Sequence, residues 1–151
     1  MNNNPQFPDM REMLQLLVRK FGLLQKDGAQ CCGISVIQSH IIYELMKHPK
    51  IALNDLAQIL FTDTSTISRQ IQQLVELKMV LRTPDPKDRR YVVLSLTPNG
   101  EEQHQAISKT MEDYVQGILQ LIPEDKRDQV IESLGYLSQA MNQRENCCSS
   151  S

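Results

Sequence analysis

The side chains best suited to recognition chemistry lie in one stretch, Thr62 to Gly100, which reads TDTSTISRQIQQLVELKMVLRTPDPKDRRYVVLSLTPNG. Ile67, Ile71, Leu74 and Val75 recur at helical spacing, which leaves Thr64, Ser65, Thr66, Ser68, Arg69, Gln72 and Gln73 on the remaining surface. Hydroxyls bond phosphates or base edges, glutamine amides bond adenine, and the Arg69 guanidinium can fork onto guanine or grip a phosphate. A merely solvated helix usually carries more Glu and Lys on such a face. Taken alone, this helix fits an ordinary amphipathic surface helix equally well.

A second set of polar groups shifts that balance. After Met79 the pattern changes to period two at Val80-Leu81-Arg82, passes through Thr83-Pro84-Asp85-Pro86-Lys87-Asp88-Arg89-Arg90, and returns through the β-prone Tyr91 to Leu96. Two prolines predict a projecting loop from Thr83 onward, carrying Lys87, Asp88, Arg89 and Arg90. Ser65 to Arg90 holds six basic residues against three acidic ones, whereas the whole chain has a net charge of −2. A basic edge on an acidic body suits orientation on a polyanion.

The four cysteines form two adjacent pairs, Cys31-Cys32 and Cys147-Cys148. Neither has the C-x-x-C spacing of a zinc site or a thioredoxin-like centre. Adjacent thiols can capture a soft species such as arsenic(III), mercury(II) or copper(I) if a third thiolate joins them, and His40 is an additional candidate ligand. Peroxide oxidation is the other thiol chemistry open to them. The plainer alternatives are small buried residues at a helix entry, a packed histidine and a loose tail. A thiol oxidoreductase or metal-handling protein has less behind it, because the chain offers no glycine-rich phosphate loop and no Ser-His-Asp arrangement.

The elements that must position these groups follow from caps and periodicity. A helix is expected from Asp9 to about Gln25, ended by Lys26-Asp27-Gly28 with Gly28 in the C-cap region. Ser35 and Gln38 form a capping box for a helix from Val36 to Met46 or Lys47, and Ile51-Ala52 can add a short strand. A short helix starts at Leu53 or Asn54 and stops at Phe61; Asp63 caps the next, with Thr64 offering a second capping oxygen. Thr97 caps a long helix to about Leu121 with Ile107, Met111, Tyr114, Val115, Ile118 and Leu119 on one side. Pro123 opens a last helix with Val130, Ile131, Leu134, Leu137 and Met141 on its stripe. The expected class is therefore mainly α with a small β-hairpin wing, an α+β winged helix-turn-helix with N- and C-terminal dimerisation helices; the broad stripes of those terminal helices suit a second protomer, and an intrachain bundle is the competing reading.

Length and composition bound the rest. A chain of 151 residues, 40% hydrophobic and 23% charged, suits one soluble domain. No apolar run is long enough to cross a bilayer and the N-terminus lacks a signal-peptide pattern, so no membrane partner and a cytoplasmic location are expected. With no Trp, three Phe and four Tyr, stacking on single strands is poorly supplied, which favours duplex DNA.

At D-T-S-T-I-S-R (Asp63 to Arg69), D-R-R (Asp88 to Arg90) and L-T-x-x-G (Leu96 to Gly100) the chain resembles the MarR family of transcriptional regulators, from about Met10 to about Met141. The resemblance implies a homodimer on double-stranded, pseudo-palindromic operator DNA, with no cofactor required and no enzymatic activity. By that analogy Ser65, Thr66, Ser68 and Arg69 face the major groove, Arg90 reaches a phosphate or the minor groove, and Asp88 orients a wing arginine. It implies one domain over 1–151, with dimerisation helices in 9–34 and 98–145 around a DNA-binding region 35–97. A repressor released by an effector is expected. The effector is a thiophilic metal or metalloid, or an oxidant, if the cysteine pairs meet in the dimer. Otherwise it is a small aromatic or phenolic molecule in the cleft between the two regions.

Overall fold

The computed structural model describes residues 9–145. Within them the chain runs α1 (Met10–Gln30), α2 (Val36–Lys47), β1 (Ile51–Ala52), α3 (Leu53–Ile59), α4 (Thr64–Glu76), β2 (Val80–Pro84), β3 (Val92–Leu96), α5 (Pro98–Leu121) and α6 (Glu124–Glu145). The architecture is mostly helical with one three-stranded antiparallel sheet, ordered β1-β3-β2. Its register pairs Ile51 with Leu94, and Val80 with Leu96. The chain divides into two compact units between Met111 and Glu112.

The first unit is built around α4. Asp63 stays extended (φ −66°, ψ 148°) and its carboxylate accepts the Thr66 N–H at 2.8 Å, satisfying one of the orphan donors of the first turn. Ile67, Ile71 and Leu74 then fall on one side and are fully buried with Ile41, Ile42 and Leu45 of α2, Leu56 of α3, and Val80 and Leu94 of the sheet. Each such chain contributes about 1.5–3 kcal/mol on burial, so the recognition-type helix is held by its apolar stripe and its outward face is left for other work. The Ser35–Gln38 capping box is present, with both reciprocal bonds.

The L-T-x-x-G run has a packing explanation. Thr97 Oγ1 donates to the Lys78 carbonyl at 2.6 Å and accepts the Gly100 N–H at 3.0 Å, tying the start of α5 to the turn after α4. A Cβ at Gly100 would collide with the Met79 carbonyl oxygen, so only glycine fits.

Three local expectations differ from the structure. Helix α1 does not end at Gly28: that glycine is buried inside the helix, where an added Cβ would sit 3.3 Å from Met111 Sδ. The left-handed closing residue is Gly33 at φ +70°, with Ile34 N–H bonded to the Ala29 carbonyl. The loop of the hairpin does not begin at Thr83, because Thr83 and Pro84 pair with Val93 and Val92. Strand β2 is an edge strand, where a missing N–H is tolerated. At the start of α4 the hydroxyls bonded to the Asp63 cap are those of Ser65 and Thr66, not Thr64.

In the second unit, Arg127 closes the end of α5, its Nε donating to the Ile122 carbonyl at 3.0 Å and its Nη2 to Gln120 at 3.4 Å. Tyr114, Val115, Ile118, Ile131, Leu134, Tyr136 and Met141 are exposed there.

Candidate nucleic-acid interface

The N-terminus of α4 is pre-set by its cap. Asp63 accepts the hydroxyls of Ser65 and Thr66 as well as the Thr66 N–H, and these bonds, that of Ser65 foremost, hold its carboxyl far below the usual carboxylate range. Thr66 is in turn 3.4 Å from Arg69 Nη2, which donates to its hydroxyl. The first two turns of α4 thus present Thr64, Ser65 and Arg69 as exposed groups, with Thr66 and Ser68 half-buried.

Farther along α4 the glutamines are already engaged. Gln73 Oε1 accepts from Gln38 Nε2 at 2.7 Å, fastening α4 to α2. Gln72 donates to Glu76 at 3.2 Å and accepts from Arg82 Nη1 at 3.2 Å. Arg82 also donates through Nη2 to the Ser68 carbonyl at 3.1 Å. It therefore bridges strand β2 to the middle of the recognition-type helix, a role not assigned to it from sequence. The signal was available: Arg82 lies two residues from Val80, on the strand face whose Val80 is buried with α4.

At the tip of the hairpin, the Tyr91 N–H closes onto the Asp88 carbonyl at 3.1 Å and the Asp85 N–H onto the Tyr91 carbonyl at 2.9 Å. Asp88 holds Arg90 in a two-pronged grip, accepting Nε at 3.0 Å and Nη2 at 2.7 Å, and also accepts the Arg90 backbone N–H at 3.1 Å. The pair shifts both groups toward their charged forms: the guanidinium lowers the Asp88 pKa and the carboxylate raises that of Arg90. Arg90 nevertheless leaves 84% of its side chain exposed, and Lys87 and Arg89 are exposed beside it.

The thiol region is assembled only in part. The sulfurs of Cys31 and Cys32 lie 3.5 Å apart, Cys31 exposed and Cys32 half-buried near the Gln103 carbonyl of α5 at 4.0 Å. Burial, then the hydrogen bond and charge of Cys31, push the Cys32 thiol up to about 11. His40 does not join them in a ligand set: its Nε2 accepts from the Gln25 amide at 3.1 Å, and among the described residues no three His, Cys, Asp or Glu side chains form a metal-sized group. Cys147 and Cys148 lie outside the described residues.

A capped helix with hydroxyl and guanidinium groups on its open face, joined through an arginine to a basic-tipped antiparallel hairpin, defines a winged helix-turn-helix protein. Residues 33–90 match the model of the MarR family. The chain is 23% identical over 132 residues to the HTH-type transcriptional repressor MdtR of Bacillus subtilis (strain 168), covering 87% of this chain and 85% of that one. The crystal structure of MarR superposes with a TM-score of 0.78 at 21% identity, over 97% of this chain and 99% of that one. A mutant of S. aureus MepR bound to an oligodeoxyribonucleotide superposes with a TM-score of 0.64 at 18% identity, over 89% of this chain and 99% of that one. At these identities the structural likeness speaks to the fold.

Proposed function

We propose that this protein is a homodimeric regulator of transcription that binds double-stranded operator DNA and represses by occluding a promoter, working in the cytoplasm as a binding protein rather than an enzyme. The observation that carries this reading is the joined surface of α4 and the hairpin: exposed Ser65 and Arg69, Arg82 spanning to Ser68, and Arg90 braced by Asp88 at 2.7 Å. Ser65, Thr66, Ser68 and Arg69 suit base-edge and phosphate contacts, and Lys87, Arg89 and Arg90 suit the backbone or minor groove. MdtR being a transcriptional repressor, and a MepR mutant being bound to an oligodeoxyribonucleotide, support it.

Release by a thiophilic metal, metalloid or oxidant is the input we favour. The 3.5 Å separation of the Cys31 and Cys32 sulfurs suits two bonds to one soft atom, and an adduct there presses on α5 at Gln103. With Cys32 held neutral, the exposed Cys31 is the entry point.

The test is fluorescence anisotropy of the reduced protein on the DNA upstream of its own gene. Arg90→Ala should bind that duplex more weakly at every sequence tried and lower the slope of log K against log[salt] by about 1. An unchanged slope removes Arg90 from the interface. Arsenite, mercury(II), copper(I) and peroxide are then titrated singly, and release that disappears in Cys31→Ser identifies the input. If every thiol reagent leaves binding intact, the cysteines are structural and small aromatic or phenolic effectors come next.

A further inference from the structure

The turn between α3 and α4 contains a side chain that neither the core nor the cap explains. Helix α3 closes with the Phe61 N–H on the Gln58 carbonyl at 3.1 Å and the Thr62 N–H on the Ala57 carbonyl at 3.0 Å, a Schellman arrangement whose left-handed residue is Phe61 at φ +49°. Glycine occupies that conformation freely, whereas a side chain there is strained. The ring recovers nothing by burial, since Phe61 is 80% exposed. It lines a surface groove of about 530 Å³ together with Asn54, Ala57, Gln58, Thr62 and Thr64. Asp63 also borders the groove, but its oxygens are taken up by Ser65 and Thr66.

The free donors of that lining include the side-chain amides of Asn54 and Gln58, set beside one exposed aromatic ring. A nucleic-acid strand alternates phosphates, which amides bond, with deoxyribose edges, which an apolar ring covers. The groove also runs directly into the exposed Thr64 and Ser65 at the start of α4. We propose that this groove seats one sugar-phosphate strand of the bound duplex, with Phe61 packed on a deoxyribose and the Asn54 and Gln58 amides bonding the flanking phosphates, the Thr62 hydroxyl being already donated to the Leu60 carbonyl at 2.9 Å. This rests on the reading of α4 as the DNA-facing helix.

Two variants separate a binding role from a structural one. Phe61→Ala keeps a Cβ in the left-handed conformation and removes the ring; Phe61→Gly removes both ring and strain. Wild type and both variants are melted, and their binding to the chain's own upstream duplex is measured from low to high salt. Both should bind roughly five- to tenfold more weakly, as expected for one lost apolar contact, with the salt slope unchanged. Phe61→Gly should at the same time melt higher than wild type. Wild-type affinity in Phe61→Ala, or a loss accompanied by a changed salt slope, overturns the deoxyribose contact alone. Failure of the wild type to bind any duplex overturns the regulator reading together with it.

Discussion

A guanidinium at the tip of a hairpin is a poor ligand for DNA while it samples many rotamers. Asp88 removes much of that freedom by gripping Arg90 through both Nε and Nη2 and by bonding its backbone N–H, leaving the outer edge of the fork turned to solvent. Freezing an arginine beforehand leaves less entropy to lose on binding. Asp88→Ala should therefore weaken operator binding severalfold while the melting temperature stays near that of wild type. Normal affinity with normal stability would remove Asp88 from any positioning role. The same grip gives an acid a place in a basic tip: its charge is spent locally on Arg90, while Lys87 and Arg89 remain exposed.

At the scale of elements, α4 depends on Asp63, whose carboxyl titrates below its unfolded value because the Ser65 hydroxyl, then the Thr66 hydroxyl and N–H, bond the charged form. A carboxyl with a depressed folded pKa stabilises the fold above its unfolded value, about 4, and that contribution fades as the pH falls below it. Asp63→Ala should lower the thermal midpoint by a few degrees at neutral pH, and the gap to wild type should shrink progressively below about pH 4. A gap independent of pH would mean that the carboxylate's charge is not what holds the cap. Loss of the cap should also fray the turn carrying Ser65 and Thr66, linking helix stability to recognition. Arg82 works between elements: through Ser68 and Gln72 it fixes the hairpin to α4, so the wing and the helix form one surface.

For the whole molecule, the apolar residues left outside the core support the dimer proposed above. Leu16, Leu17, Val18, Phe21 and Leu23 are exposed on α1, and α6 within its own unit exposes Ile131, Leu134, Tyr136 and Met141. Faces of this extent are characteristic of association surfaces. On the reading proposed above, light scattering should report two chains per particle. Val18→Glu, at a position 70% exposed and so harmless to the isolated fold, should raise the monomer fraction and weaken operator binding at least about tenfold, because two half-sites are then no longer held by one linked pair. A monomeric wild type that still binds its operator tightly would refute the dimer.

What the sequence by itself determined was what depends on neighbours along the chain. The Asp63 cap, the Ser35–Gln38 box and the stripe Ile67-Ile71-Leu74 are read from spacings of a few residues, and each is where the sequence places it; the β-prone return expected over Tyr91 to Leu96 is strand from Val92. The winged helix-turn-helix followed from their order. Tertiary structure decided what depends on distant partners. Gly28 stays helical because Met111 packs on it, Pro84 joins a strand because that strand is an edge, Gln73 is claimed by Gln38 and His40 by Gln25. Arg82 acquires its role from the helix it reaches, and Phe61 its strain from the closing of α3. Local rules place a residue on a face; only the packed chain determines which groups on that face are already bonded and which remain free for a partner.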